Sequence, residues 1–159
     1  MIFVTGPMFS GKRTYIQKKN GWTDKEMKEH AIWEVQQILS EDCSLHDLEQ
    51  IHPGLADIAR RFRTSQNGIE QMAEIENHSG ADRFSTGLED EFPLAELAEL
   101  AEILSEYPVV IATETGCGVV PMKAEDRKFR ENAGRLSCLL AGKAEKVIRM
   151  CCGIAQIIK

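Results

Sequence analysis

The sequence has no excess of basic residues: 19 Lys and Arg stand against 25 Asp and Glu, a formal net charge of −6 over 159 residues. Broad binding to nucleic acid or to an anionic membrane surface needs basic patches that displace counterions, so the charge argues against both and makes any phosphate site a local one. No run approaches the roughly 18 apolar residues of a membrane span, and the first residues lack the basic-then-apolar order of a signal peptide. A cytoplasmic protein is the expectation. Cys43, Cys117, Cys138, Cys151 and Cys152 form no C-x-x-C pair, which fits reduced, mostly buried thiols better than a disulfide framework or a zinc site. His30, His46, His52 and His78 lack H-x-x-x-H spacing, so no metal ligand set can be named. No internal repeat is present.

What the chain does have is 43% hydrophobic residues, enough for one domain over residues 1–159 with a core of its own. Ile2 to Thr5 reads as a short buried strand, Gly6 to Lys12 as a loop, and the helix it opens runs through Lys19 to Asn20-Gly21. Thr23 and Glu26 make a capping box, after which Met27, Ala31, Val35, Ile38 and Leu39 recur at helical spacing. Ser44 with Asp47 starts a short helix, and Pro53 starts another that buries Leu55, Ile58, Ala59 and Phe62. From Thr64 to about Glu91 the chain is polar and rich in Asn-Gly and Ser-Gly pairs, the pattern of an irregular insert. A periodic helix from Pro93 to Glu106 stops at Pro108, and Val109 to Thr113 reads as a buried strand. A long helix from Glu125 to Lys143 leads to apolar strands at Lys146–Cys152 and Ile154–Ile158. Helices alternating with strands apolar on both faces predict an α/β fold with a largely parallel sheet and a C-terminal strand pair.

Gly6-Pro7-Met8-Phe9-Ser10-Gly11-Lys12 satisfies G-x-x-x-x-G-K between a strand and a helix, the context that gives the motif physical meaning. Backbone N–H groups of such a loop, the positive end of the helix and the lysine ammonium together hold phosphate oxygens. The following position ordinarily supplies a hydroxyl to magnesium. Here it is Arg13, which has donors only. Thr14 offers a hydroxyl one residue on, rotated by about 100° around the helix.

Glu114 falls just past the carboxyl end of the strand at Val109–Thr113, the edge where open parallel sheets bind ligands. It is placed to meet a metal, a ribose or a substrate hydroxyl, with Gly116 and Gly118 allowing a tight loop beside it.

The loop at 6–12, together with "ATETGCGVVP", "FRENAGRL" and the terminal "CCGIAQIIK", resembles the adenosylcobinamide kinase/adenosylcobinamide-phosphate guanylyltransferase family of cobalamin biosynthesis, in a shortened form. The resemblance covers about residues 2–14 and 109–159. It implies a P-loop NTPase-like three-layer fold and a corrinoid substrate, adenosylcobinamide or its phosphate. The implied reactions are phosphorylation of the corrinoid hydroxyl by ATP or GTP and transfer of GMP from GTP through a guanylylated histidine, with Mg2+ as the accompanying ion and a homo-oligomer, a trimer in the family, as the assembly. Carried over by position, Gly6 to Lys12 with Arg13 and Thr14 would bind the nucleotide and Glu114 would match the family's acid. Arg130 and Arg135 would bind substrate, and His30, in "DKEMKEHAIWEVQ", would be the guanylylated nucleophile. Thr113, Glu131 and Ser137-Cys138 depart from the family pattern, and no counterpart of its second strand is read. The competing expectation is a non-catalytic nucleotide- or corrinoid-binding relative that keeps the loop and has lost the magnesium and nucleophile positions.

Overall fold

Strands β1 (Ile2–Thr5), β2 (Ala31–Trp33), β3 (Val109–Ile111), β4 (Lys146–Cys151) and β5 (Ile154–Ile157) form one sheet in the order β2-β3-β1-β4-β5. Neighbours run parallel except the last pair, β4 and β5, which is antiparallel. The computed structural model describes residues 1–76, 94–116 and 118–159, the side chains of 66–76 excepted. The result is the expected α/β fold of P-loop type.

Alternation along each strand splits the core in two. Phe3, Ile32, Val110 and Val147 face a cluster completed by Leu55, Leu100, Leu104, Leu136 and Leu140. These come from α4 (Pro53–Glu76), α5 (Leu94–Ser105) and α6 (Ala124–Lys143). Val4, Ala31, Ile111 and Ile148 face the other way, onto Ile16 of α1 (Lys12–Asn20) and Met27 of α2 (Asp24–His30). Every parallel strand therefore buries both faces, as its unbroken apolar run requires. The sheet is the middle of three layers. No helix among the described residues is long and apolar enough to cross a membrane.

Besides the mostly buried thiols, which are instead exposed at Cys138, Cys151 and Cys152, two expectations need correction. The helical spacing from Met27 to Leu39 does not make one helix: α2 ends at His30, Ala31–Trp33 pairs with β3 as β2, and Val35–Leu39 is a 3-10 turn. Side chains spaced at 3.6 are buried here by three different local conformations, and Glu34 breaks the run with φ 55 in the left-handed region. A second strand is present, only three residues long. Second, α4 continues through Glu76, so the irregular segment does not begin at Thr64. The remainder of that segment, from residue 77 to 91, lies outside the described residues.

Other local signals are met directly. Thr23 and Glu26 form the reciprocal capping box, and the Ser44 hydroxyl accepts from the Asp47 N–H at the start of α3 (Leu45–Ile51). Each such cap contributes about 1 kcal/mol to its helix.

Candidate functional site

Parallel register sends the carboxyl ends of β2, β3 and β1 to one edge of the sheet, and the Gly6–Lys12 loop, Glu34 and Glu114 all follow those ends. The loop returns on itself through residues with unusual backbone. Gly6 has φ 146, and a Cβ built on it would overlap the carbonyl oxygen of Met150. Only glycine lets the chain pass that close to β4. Gly11, at φ 85, turns the chain into α1, and Phe9 at φ 58 carries a ring that is 97% exposed. Gly6 O accepts from Glu114 N–H at 3.0 Å, and Ser10 O accepts from Gly153 N–H at 3.2 Å, so β3 and the β4–β5 hairpin each hold one side of the loop.

Lys12 begins α1 with its side chain turned inward and buried, its ammonium donating to Gly6 O at 3.1 Å and Pro7 O at 2.8 Å. Burial pushes its pKa below the usual lysine value, while Glu34 and then Glu114 pull it back up. The hydroxyl of Ser10 is buried in the same loop and has no partner among the described residues. An unpaired buried hydroxyl costs about 1–3 kcal/mol, and a ligand oxygen in the loop would remove that cost.

Glu34 and Glu114 differ in how they are held. The Glu34 carboxylate accepts from the Thr113 hydroxyl, at 3.1 Å to each oxygen, and from the Gln36 side chain. Gln36 is buried and its Oε1 accepts from Thr113 N–H at 3.0 Å, tying the end of β2 to the end of β3. Glu114 receives the Arg149 guanidinium through two bonds of 2.9 Å. That fork fixes the plane of the carboxylate as well as its position.

Ser10, Lys12, Arg13, Trp33, Glu34 and Ile111 are among the residues around a cavity of about 280 Å³ over the loop. Arg13 stacks its guanidinium on Trp33, 4.7 Å from the ring centre, and lies 3.7 Å from the Asp24 carboxylate. Thr14 is exposed and also lines this cavity. Pro7 and Met8 form the exposed outer side of the loop.

The other residues singled out in the sequence lie elsewhere. His30 ends α2 and immediately precedes β2, so it sits at the opposite edge of the sheet from Trp33, about 10 Å of strand away. It is exposed and its ring lies 5.3 Å from that of Trp22. His46 is exposed on α3 against Gln50, and His52 Nδ1 accepts from Gly54 N–H. Arg130 donates to the carbonyls of Gly116, Gly118 and Val119, fastening that loop to α6. Arg135 pairs with Glu131 on its own helix at 2.8 Å, roughly 16 Å along α6 from its start.

Trp33, Glu34, Gln36 and Arg149 are the residues that sequence reasoning did not find. The signal for Glu34 is the same as for Glu114, an acid just after a short apolar run, but here the run is hidden inside a helical pattern.

Magnesium coordination finds no support at Arg13. Glu34, facing the cavity beside Lys12, is the carboxylate that suits an ion otherwise held by phosphate oxygens and water.

The family model described as cobinamide kinase / cobinamide phosphate guanyltransferase matches residues 73–158. The matched span contains Glu114, Arg130, Arg149 and the β4–β5 hairpin, while the Gly6–Lys12 loop precedes it. No curated protein matches the chain. With more than half of its length matched, the chain belongs to the cobinamide kinase / cobinamide phosphate guanyltransferase family, a family of cobalamin biosynthesis.

Proposed function

We propose that this protein transfers a phosphoryl group from GTP or ATP to the hydroxyl of adenosylcobinamide. The observation that carries the reading is the inward, buried Lys12 ammonium at the head of α1, flanked by Glu34 and Glu114, with the Ser10 hydroxyl beside it unpartnered among the described residues. Loop N–H groups at the start of a helix favour phosphate oxygens, and Lys12 exchanges two neutral carbonyl partners for charged ones when a nucleotide enters. Glu34 would hold magnesium. That ion supplies charge neutralisation on the transferring phosphoryl group when bound.

The chain's own residues do the rest. Glu114, held in plane by Arg149, accepts from the corrinoid hydroxyl and aims it along the line of transfer. Arg13, on Trp33, puts a second cation at the cavity edge without ligating metal. Arg130 holds the carbonyls of Gly116, Gly118 and Val119, and the exposed Val119, Val120 and Met122 give the bulky corrinoid an apolar surface. Transfer of GMP through His30 is not part of this reading, because about 10 Å of strand separates His30 from Trp33 at the cavity. Arg135 has no role in it either.

A second reading, a nucleotide-binding relative without activity, is favoured by one observation: Arg13 stands where a hydroxyl would hold the metal. One experiment separates the two. With γ-labelled GTP or ATP, magnesium and adenosylcobinamide, label is expected on the corrinoid. Lys12→Ala abolishes nucleotide binding, whereas Glu34→Gln keeps binding and lowers transfer by about 10²-fold or more. Retained binding without transfer overturns the kinase reading in favour of the binding protein. An acid-labile protein–GMP adduct that disappears in His30→Ala would overturn the exclusion of His30.

A further inference from the structure

We infer that Cys151 and Cys152 form a thiol–disulfide exchange site whose oxidation loosens the Gly6–Lys12 loop, and that its co-reactant is a small disulfide bearing carboxylates. The two thiols are adjacent in sequence, both exposed, with their sulfurs 4.0 Å apart. They sit at the tip of the β4–β5 hairpin, where Cys152 (φ 51) and Gly153 (φ 81) make a tight two-residue turn with both residues left-handed.

That turn is mechanically joined to the loop. Gly153 N–H donates to Ser10 O at 3.2 Å, a Cβ on Gly11 would lie 3.8 Å from Gly153 Cα, and the carbonyl of Met150 lies against Gly6. Beside the tip, Gly11, Thr14, Tyr15, Lys18, Lys19 and Gly153 surround an open recess of about 500 Å³. Its two lysines give a carboxylate-bearing disulfide a local positive surface on a protein of net charge −6.

The chemistry balances as two exchanges. One cysteine thiolate attacks a sulfur of the small disulfide and releases its first thiol. The second cysteine thiolate then attacks the protein-bound sulfur of the mixed disulfide and releases the other. Two electrons pass from the protein thiols to the small disulfide, and the two protons pass to the released thiolates. The peptide link keeps the two Cα atoms about 3.8 Å apart, below the roughly 4.4–6.8 Å of an ordinary disulfide. The bond can close only if the Cys151–Cys152 peptide and its turn are reshaped, which pulls Gly153 away from Ser10. The same strain makes the bond easily reduced, so the change is reversible.

The test treats the whole protein with oxidised glutathione and reads two quantities. Mass spectrometry is expected to find loss of two hydrogens on the peptide carrying Cys151 and Cys152. Hydrogen exchange of Gly153, whose N–H donates to Ser10 O, is expected to rise about fivefold, as for loss of one backbone hydrogen bond, and exchange of the loop amides at residues 6–12 to rise with it. Both changes reverse with dithiothreitol and are absent in Cys152→Ser and in Cys151→Ser. A reaction that stops at the glutathione mixed disulfide, or a disulfide that leaves loop exchange unchanged, overturns the inference. Neither readout uses a nucleotide, so the outcome is independent of whether the kinase reading holds.

Discussion

Ser10 shows most clearly how stability and binding oppose each other in this site. Its hydroxyl is buried and has no partner among the described residues, while its main-chain groups are bonded to Pro7 and Gly153. The backbone thus holds the side chain in a place where it gains nothing until a ligand arrives. Ser10→Ala removes the unpaired group without touching those main-chain bonds. We expect it to stabilise the protein by about 1 kcal/mol while weakening nucleotide binding severalfold, read by urea unfolding and by calorimetric titration with GTP and ATP. Equal or lower stability would mean that the hydroxyl is already satisfied. The identity of Ser10 as a loop residue is plain in the sequence, since G-x-x-x-x-G-K fixes its neighbours. Its burial is not, because that depends on Met150 and Gly153, which lie about 140 residues away in sequence.

At the scale of elements, the strands flanking the loop decide what it can do. Gly6 passes so close to the Met150 carbonyl that a methyl group there would strike the backbone of β4, which is hydrogen-bonded on both sides and has nowhere to move. Gly6→Ala should therefore cost about 3 kcal/mol, seen as a lower urea midpoint at unchanged m. Nucleotide binding should also fall, because Glu114 N–H and the Lys12 ammonium both bond the Gly6 carbonyl; a variant of wild-type stability would disprove the close approach. β1, β3, β4 and β5 are readable from sequence because each is an apolar run bounded by Pro, Gly or a loop. β2 is not. Its Ala-Ile-Trp lies within a run whose spacing suits a helix, and only pairing with β3 selects the strand. Missing that strand hid Glu34.

Across the whole molecule, the sheet is covered unequally. The face under α3 to α6 holds the larger cluster, whereas helices α1 and α2 bury only Ile16 and Met27 as fully enclosed apolar anchors, beside the buried Lys12. The layer that carries the loop is thus the thinner one, and local opening favours regions with few buried apolar contacts. Hydrogen exchange in the native protein should show α1 and α2 opening at lower free energy than α5 and α6. Two core truncations distinguish this from uniform stability. Leu100→Ala, at a fully buried position of the larger cluster, should cost about 2–5 kcal/mol and speed exchange throughout the sheet and both helical layers. Ile16→Ala is equally buried, yet its effect should concentrate in α1, α2 and the loop, with α5 and α6 changed far less. If nucleotide binds the loop, it adds protection to α1 in proportion to its concentration over Kd, and more in Ile16→Ala, where the ordering is no longer supplied in advance. Uniform acceleration of every amide by Ile16→Ala would show that both layers unfold as one unit.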